Sequence, residues 1–379
     1  MMDGNNISMH RITGSSLHPQ PDPAAPRPDT GLVMDARYLD HRPGFGHPES
    51  PRRLEAVYAL FQDTTMNGRF KEITPPPATR DELLLCHSPA YLDRIAATAR
   101  HKLSRLTADT RASSGSYLAA CLAVGGVITA VKQVVSGELQ NAMVLARPPG
   151  HHAEVSRAMG FCLFNNVAVG AAFARCVLGL QRVLIIDWDL HHGNGIQHLF
   201  EKDPTVFYFS IHQYPLFPGT GLYTETGLGA GEGYTMNIPL NRAFGNGEYI
   251  TLTRQLLFPL ARAFRPDLIL VAAGFDTHLR DPMGKMRLTR TGFAALTQMV
   301  MACAEETCHG RLVLVLEGGY HRKSLARSID KVARVLSGTF SVDIDAIAAT
   351  AKAKLPAAAI RRCAHVHQPR WPELFTEQL

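Results

Sequence analysis

The 379-residue sequence has no Cys-x-x-Cys pair, and its seven cysteines, Cys86, Cys121, Cys162, Cys176, Cys303, Cys308 and Cys363, are odd in number and dispersed. That pattern excludes a disulfide framework and suits reduced thiols, so a cytoplasmic setting is expected. The opening residues MMDGNNISMHRITGSS lack the apolar core of a secretory signal. No apolar run is read as reaching the ~18 residues of a membrane span, so no membrane contact is expected. A Gly-x-x-x-x-Gly-Lys-Ser/Thr loop is also missing, which leaves nucleotide hydrolysis without support. Nor is there a block of like charge. The formal net charge is +6 and the pI about 9.0, but Lys and Arg are scattered, and direct nucleic-acid binding is not expected.

What is present is apolar material in a regular order, with hydrophobic residues making up 46% of the chain. Residues 1–30, ending HPQPDPAAPRPDT, are rich in Pro and polar residues and read as a disordered leader; residues 31–379 read as one domain. From Gly31 onward the runs GLVM, AMVLA, RVLIID, VFYFSI, YTMNIPL, LILVAA and RLVLVLE alternate with helix-period segments such as SYLAACLAVGGVITAVKQVV and GFAALTQMVMACAEE. The alternation predicts an α/β fold, a mostly parallel sheet with helices on both faces.

The unusual polar residues fall just beyond four of these runs. AMVLA leads into RPPGHHA, RVLII into DWDLHHGNG, LILVAA into GFDTHLRDPMG and RLVLVL into EGGYH. Open parallel sheets place ligands at the carboxyl ends of their strands, so the four clusters are expected to meet on one rim. Unpaired carboxylates at the end of a buried strand are costly, and a cation is their simplest partner. Asp189 and His191 are two residues apart, so an extended strand end can turn both to one side, and Asp276 can join them from a neighbouring strand. Two carboxylates and one imidazole leave an open position on a tetrahedral ion, as a catalytic zinc requires. Magnesium, or the manganese pair of a ureohydrolase, prefers more oxygen ligands than this chain offers around one point. His151 and His152 are candidate proton carriers, with Asp187 and Asn194 to hold their rings. Tyr320, which follows Gly318 and Gly319, is a candidate donor to a developing oxyanion.

Together RPPGHHA, GFCLFNN, DWDLHHGNG, FPGTG, AGFDTHLRDP and EGGY resemble the zinc-dependent histone deacetylase family from about Gly31 to Ser337. The resemblance implies the arginase/deacetylase fold, a three-layer α/β/α sandwich with a parallel sheet of about eight strands, and hydrolysis of an acylated amine, usually N-ε-acetyl-lysine. It makes Asp189, His191 and Asp276 the zinc ligands and Tyr320 the transition-state donor. By the same resemblance His152 is the general base and acid, and His151 its electrostatic partner backed by Asp187. Phe161 and Phe217 would wall an acyl-lysine tunnel, with Gly160 supplying a backbone carbonyl. A structural potassium ion would lie near Asp187, Asp189, His191, Ser210 and Ile211, and a second monovalent site near Phe200, Asp203, Val206 and Tyr234.

Two departures bear on chemistry and substrate. Asn194 stands where first-class members of the family carry an aspartate behind the second histidine; together with the stretch HPESPRR, this leans toward the second-class and bacterial members. A neutral amide cannot raise the pKa of His152 by charge. Met283 aligns with a glutamate of the polyamine-selective members, and an uncharged thioether would leave a buried substrate ammonium unpaired. The expected substrate is therefore an acylated protein lysine, with a small acylated amine such as an acetylpolyamine as the alternative. A binding module without catalysis is disfavoured because every catalytic position is filled. A homo-oligomer is compatible with the sequence, and zinc versus iron(II) stays open.

Overall fold

A computed structural model of the chain describes residues 30–61 and 69–375, so the leader expected over 1–30 lies outside the described residues except for Thr30. In chain order the strands are β1 (Thr30–Val33), β2 (Phe70–Ile73), β3 (Leu103–Arg105), β4 (Arg111–Ser113), β5 (Asn141–Val144), β6 (Val183–Asp187), β7 (Val206–Gln213), β8 (Thr235–Leu240), β9 (Leu268–Ala273) and β10 (Leu312–Leu316). Each apolar run of the sequence is among them. Eight of the strands form one sheet in the order β2-β1-β5-β10-β9-β6-β7-β8, and every neighbouring pair is parallel. The central strands are buried along their whole length, which is why they read as continuous Val, Ile and Leu without alternation.

Two sets of helices sandwich the sheet. Helices Arg52–Phe61, Arg322–Leu336 and Arg290–Cys308 pack in succession in one layer, while Ser116–Val135 and Asn166–Cys176 pair in the other. This is the expected three-layer α/β/α arrangement. Strand β2, with the sequence FKEI, was not expected: it is a half-exposed edge strand, so its pattern carries little apolar signal. Strands β3 and β4 form a separate antiparallel hairpin.

The expectation that no apolar segment is long enough to cross a membrane is corrected. Helix Ser116–Val135 has 20 residues and meets that test by length and composition, although 72% of its apolar window is buried inside the fold. A helix pressed between a sheet and a further covering segment is apolar nearly all round, and the glycines and polar residues within the run hide its length. Gly125 shows how closely it is covered, since a Cβ there would lie 1.8 Å from the Pro76 carbonyl oxygen.

The topology explains the rim. Strands β5, β10, β9 and β6 are consecutive neighbours in the sheet although they are far apart in the chain. Their carboxyl ends carry the four polar clusters, which therefore converge. Register sets Asp187, the last residue of β6, against Ala272 of β9 on one side and Ser210 of β7 on the other.

Candidate active site

Asp189, His191 and Asp276 come together, with one ligand atom from each lying within 4.8 Å of the others, and all three are buried. Backbone amides orient the carboxylates. The Gly318 and His191 N–H groups donate to Asp189 Oδ2 and Oδ1, each at 2.9 Å, and Leu190 N–H donates to Asp276 Oδ1 at 2.9 Å. Asp276 Oδ2 is left without a hydrogen-bond partner and faces His191 Nδ1 at 3.1 Å. Gly318 makes this crowding feasible, because a Cβ there would lie 2.3 Å from Asp276 Oδ2 and 2.6 Å from Asp189 Oδ2. Burial and the neighbouring Asp189 charge both raise the Asp276 pKa. An orphaned carboxylate oxygen and an imidazole nitrogen at this separation fit one divalent cation, whose tetrahedral ligands lie about 3.3 Å apart. The donor set therefore passes the test of its own chemistry.

The two dyad histidines are held differently. His151 Nδ1 faces Asp187 Oδ2 at 3.1 Å, and that oxygen also accepts from Tyr208 Oη–H at 2.9 Å. Burial opposes a charged His151, but Asp189 and Asp187 outweigh it and raise the pKa to about 10. His152 Nδ1 faces Asn194 Oδ1 at 2.8 Å. Burial, then the charges of His151 and His191, hold its pKa well below the usual imidazole value. With the rings 4.0 Å apart, charge on His151 disfavours a second charge on His152.

Tyr320 is anchored through both its backbone and its ring. Its backbone N–H donates to Asp281 Oδ2 at 2.7 Å, and the Arg53 guanidinium lies 4.9 Å over its ring. Burial raises the phenol pKa well above its ordinary value, so the hydroxyl is a donor at neutral pH. Phe161 packs edge-on against Tyr320 at 5.9 Å, and Phe217 packs edge-on against His152 at 5.1 Å. Phe161 has a φ of +70°, strained for a side-chain-bearing residue, and is held there by Thr110 Oγ1 accepting its N–H at 3.1 Å. At neighbouring Gly160, a Cβ would lie 2.1 Å from the His152 ring. Met283 is half-buried and joins the site through its backbone, its N–H donating to Asp281 Oδ1 at 3.1 Å.

The histone deacetylase domain model matches residues 47–336. The chain belongs to the histone deacetylase family. It is 38% identical over 318 residues to Histone deacetylase 15 of Arabidopsis thaliana, covering 82% of this chain and 57% of that one. Identity is also 38% to Polyamine deacetylase HDAC10 of Homo sapiens, over 86% of this chain and 50% of that protein. This chain thus spans little more than half the length of these relatives. A Probable deacetylase of Archaeoglobus fulgidus is 38% identical, with 77% of this chain and 81% of that one covered. The crystal structure of the HDA15 HD domain superposes with a TM-score of 0.84 at 35% identity, covering 92% of this chain and 97% of that one.

Several residues that hold this family's motifs in place were not singled out from the sequence. Glu317 Oε2 accepts the N–H groups of Gly150 at 2.7 Å and His151 at 3.2 Å, so the end of β10 fixes the dyad loop. Glu49 is fully buried between Arg147 and Arg53. It accepts from Arg147 Nη2 at 2.7 Å and Arg53 Nη1 at 3.0 Å, and also pairs with Arg147 Nε. Arg53 in turn donates to the carbonyls of Gly319 at 2.7 Å and Glu317 at 2.5 Å, bracing the turn before Tyr320. The HPESPRR stretch was the available signal for Glu49 and Arg53. Glu154, next to the dyad, accepts from Asn194 Nδ2 at 2.5 Å and faces His198 Nδ1 at 2.8 Å.

Proposed function

We propose that this chain is a zinc-dependent deacetylase that hydrolyses the amide of an acylated lysine side chain. The observation that carries the reading is the orphaned Asp276 Oδ2 beside His191 and Asp189, set next to a histidine pair backed by Asp187 on one ring and Asn194 on the other. Asp189, His191 and Asp276 would hold the ion. When bound, zinc supplies Lewis acidity toward a carbonyl and a water.

The chain's own residues do the rest. His152 has its Nδ1 tied to Asn194 Oδ1, so Nδ1 carries the proton and Nε2 is free to take one from the attacking water. The same Nε2–H then protonates the departing amine as the carbon–nitrogen bond breaks, giving a free amine and a carboxylate. His151, whose charged form is favoured by Asp189 and Asp187, offsets negative charge that develops nearby. The Tyr320 hydroxyl donates to the carbonyl oxygen as it becomes an oxyanion, an interaction strongest in the transition state. Phe161 and Phe217 would line the path of the aliphatic chain, and the Gly160 carbonyl would accept the substrate amide N–H. We assign a structural potassium ion to the surroundings of Asp187, Asp189, His191, Ser210 and Ile211. The second monovalent site, near Phe200, Asp203, Val206 and Tyr234, is proposed on the resemblance alone. All seven cysteines are unpaired and six are buried, which supports a reducing compartment such as the cytoplasm.

Deacetylation of an acetylated polyamine is the second reading, motivated by the relative named Polyamine deacetylase HDAC10. The half-buried, uncharged Met283 favours the first. Measured kcat/KM values for an N-ε-acetyl-lysine peptide and for acetylspermidine test the choice. The expected result is a clear preference for the peptide. A preference for acetylspermidine overturns the lysine reading in favour of the polyamine one.

A further inference from the structure

Lys and Arg total 39 and are scattered along the sequence, but the fold gathers four of them at one place beside Tyr320. A cleft of about 780 Å³ is lined by the 42–52 loop, including Arg42, His47 and Arg52, together with Glu55, Tyr320 and Arg322. A second hollow continues it past Arg52, Glu55 and Arg322 to Lys323. Arg42, Arg52, Arg322 and Lys323 are exposed, and among the described residues none has an ion-pair partner. Glu55 is the one carboxylate in the lining. Nearby acids are already engaged. Glu49 is held by Arg53 and Arg147, Asp281 by the N–H groups of Tyr320, His321 and Met283, and Asp109 by Gly160 N–H and the Thr107 and Thr110 hydroxyls. Four cations against one free carboxylate leave the cleft strongly positive.

The cleft also adjoins the reacting end of the site. Tyr320 lines it directly, and His47 on its wall stacks edge-on against Phe161 at 4.8 Å. A lysine side chain reaching Tyr320 past Phe161 leaves its neighbouring residues within reach of these cations. We propose that this basic cleft selects acyl-lysines flanked by aspartate or glutamate, and that it repels polycationic acylated amines. The inference rests on the lysine-deacetylase reading above and names the substrate class within it. Unpartnered charges at the rim of a cleft act on encounter and specificity more than on chemistry, so the effect belongs in kcat/KM and is screened by salt. A nucleic acid would also be attracted to cations, but the position of the cleft beside Tyr320, where an acyl-lysine's neighbouring residues would lie, favours a short acidic segment.

The test uses the full, metal-loaded chain and three acetyl-lysine peptides that differ only in having acidic, neutral or basic flanking residues. The expected order of kcat/KM is acidic, neutral, basic, with about a tenfold step between the first two at ~50 mM salt that shrinks toward parity at ~500 mM. In a variant carrying Arg42→Gln, Arg52→Gln and Arg322→Gln the order should collapse, with turnover of the neutral peptide unchanged. Equal kcat/KM for acidic and neutral peptides in the unaltered chain, with the neutral peptide turned over normally, overturns the inference and leaves the deacetylase reading standing. A preference that survives in the variant also overturns it. Fluorescence anisotropy with the same peptides carrying unmodified lysine keeps the two claims apart. If no peptide is hydrolysed, tighter binding of the acidic one that is lost in the variant still supports the cleft, and equal binding overturns it. Tighter binding of a DNA duplex than of the acidic peptide, lost in the same variant, would reassign the cleft and overturn the peptide proposal.

Discussion

Asn194 donates through Nδ2 to Glu154 Oε1 at 2.5 Å while its Oδ1 faces His152 Nδ1 at 2.8 Å. A carboxylate accepts and cannot donate, so Glu154 dictates which way the amide points. The amide oxygen is thereby turned to His152, whose Nδ1 must carry the proton, and the lone pair is left on Nε2. The His152 carbonyl oxygen, 3.4 Å from the same Nδ2, is a longer contact that favours the same orientation.

Glu154→Ala should therefore lower kcat about tenfold or more with little change in KM, as expected when a group that orients a catalytic residue is removed. Glu154→Gln can still offer an oxygen to Asn194 and should recover most of the loss. Steady-state kinetics on the three proteins decide it. An unchanged kcat in the alanine variant would mean that Asn194 is oriented by something else.

Tyr320→Phe should cost about 10²- to 10³-fold in kcat and much less in KM, because the hydroxyl acts on charge that exists only in the transition state. His152→Ala should be at least as damaging, and His151→Ala should retain measurable turnover. The two rings differ in the group behind each, Asp187 for His151 and Asn194 for His152, so the opposite order of the two histidine variants would mean that the roles are exchanged.

The Glu49 cluster predicts a stability effect with a defined pH sense. Burial works against the Glu49 carboxylate, but Arg147 and His41 outweigh it and hold the pKa well below the usual value. A depressed folded-state pKa contributes stability that is present above the unfolded value near 4.3 and lost as pH falls through the folded value. Glu49→Gln should cost about 3–5 kcal/mol at neutral pH, since it leaves buried Arg147 and Arg53 uncompensated. It should also flatten the acid limb of stability against pH below about pH 4. Denaturant unfolding at a series of pH values checks both. An unaltered acid limb would show that Glu49 does not carry that dependence.

The sheet and the Asp189, His191 and Asp276 cluster were legible in the sequence because both are local signals. RVLIID announces a buried strand by composition, and Asp189 and His191 lie immediately after it. Asp276 follows LILVAA in the same way, and the parallel topology does the joining. What was not legible depends on pairings made in space. Glu317 reaches His151 across 166 residues and Arg147 reaches Glu49 across 98, and no spacing rule connects them. Asn194 is legible as a neutral group behind His152, and its Oδ1 lies 2.8 Å from His152 Nδ1. The charge one step further back, on Glu154, emerges only when the loop after β5 and the start of helix Asn194–Phe200 are placed side by side. The scatter of Arg and Lys was a true statement about the chain and a poor guide to the surface, since Arg42, Arg52 and Arg322 share one cleft wall.

Metal titration is the direct test of zinc dependence. Chelator-stripped protein would receive zinc in steps, with bound metal and hydrolysis of a neutral acetyl-lysine peptide measured on the same samples. Both are expected to rise together and saturate at one equivalent per chain, and Asp276→Ala, although folded, should neither retain stoichiometric zinc nor turn over the peptide. Full hydrolysis after stripping, or activity that requires a second tightly bound transition metal, would contradict it.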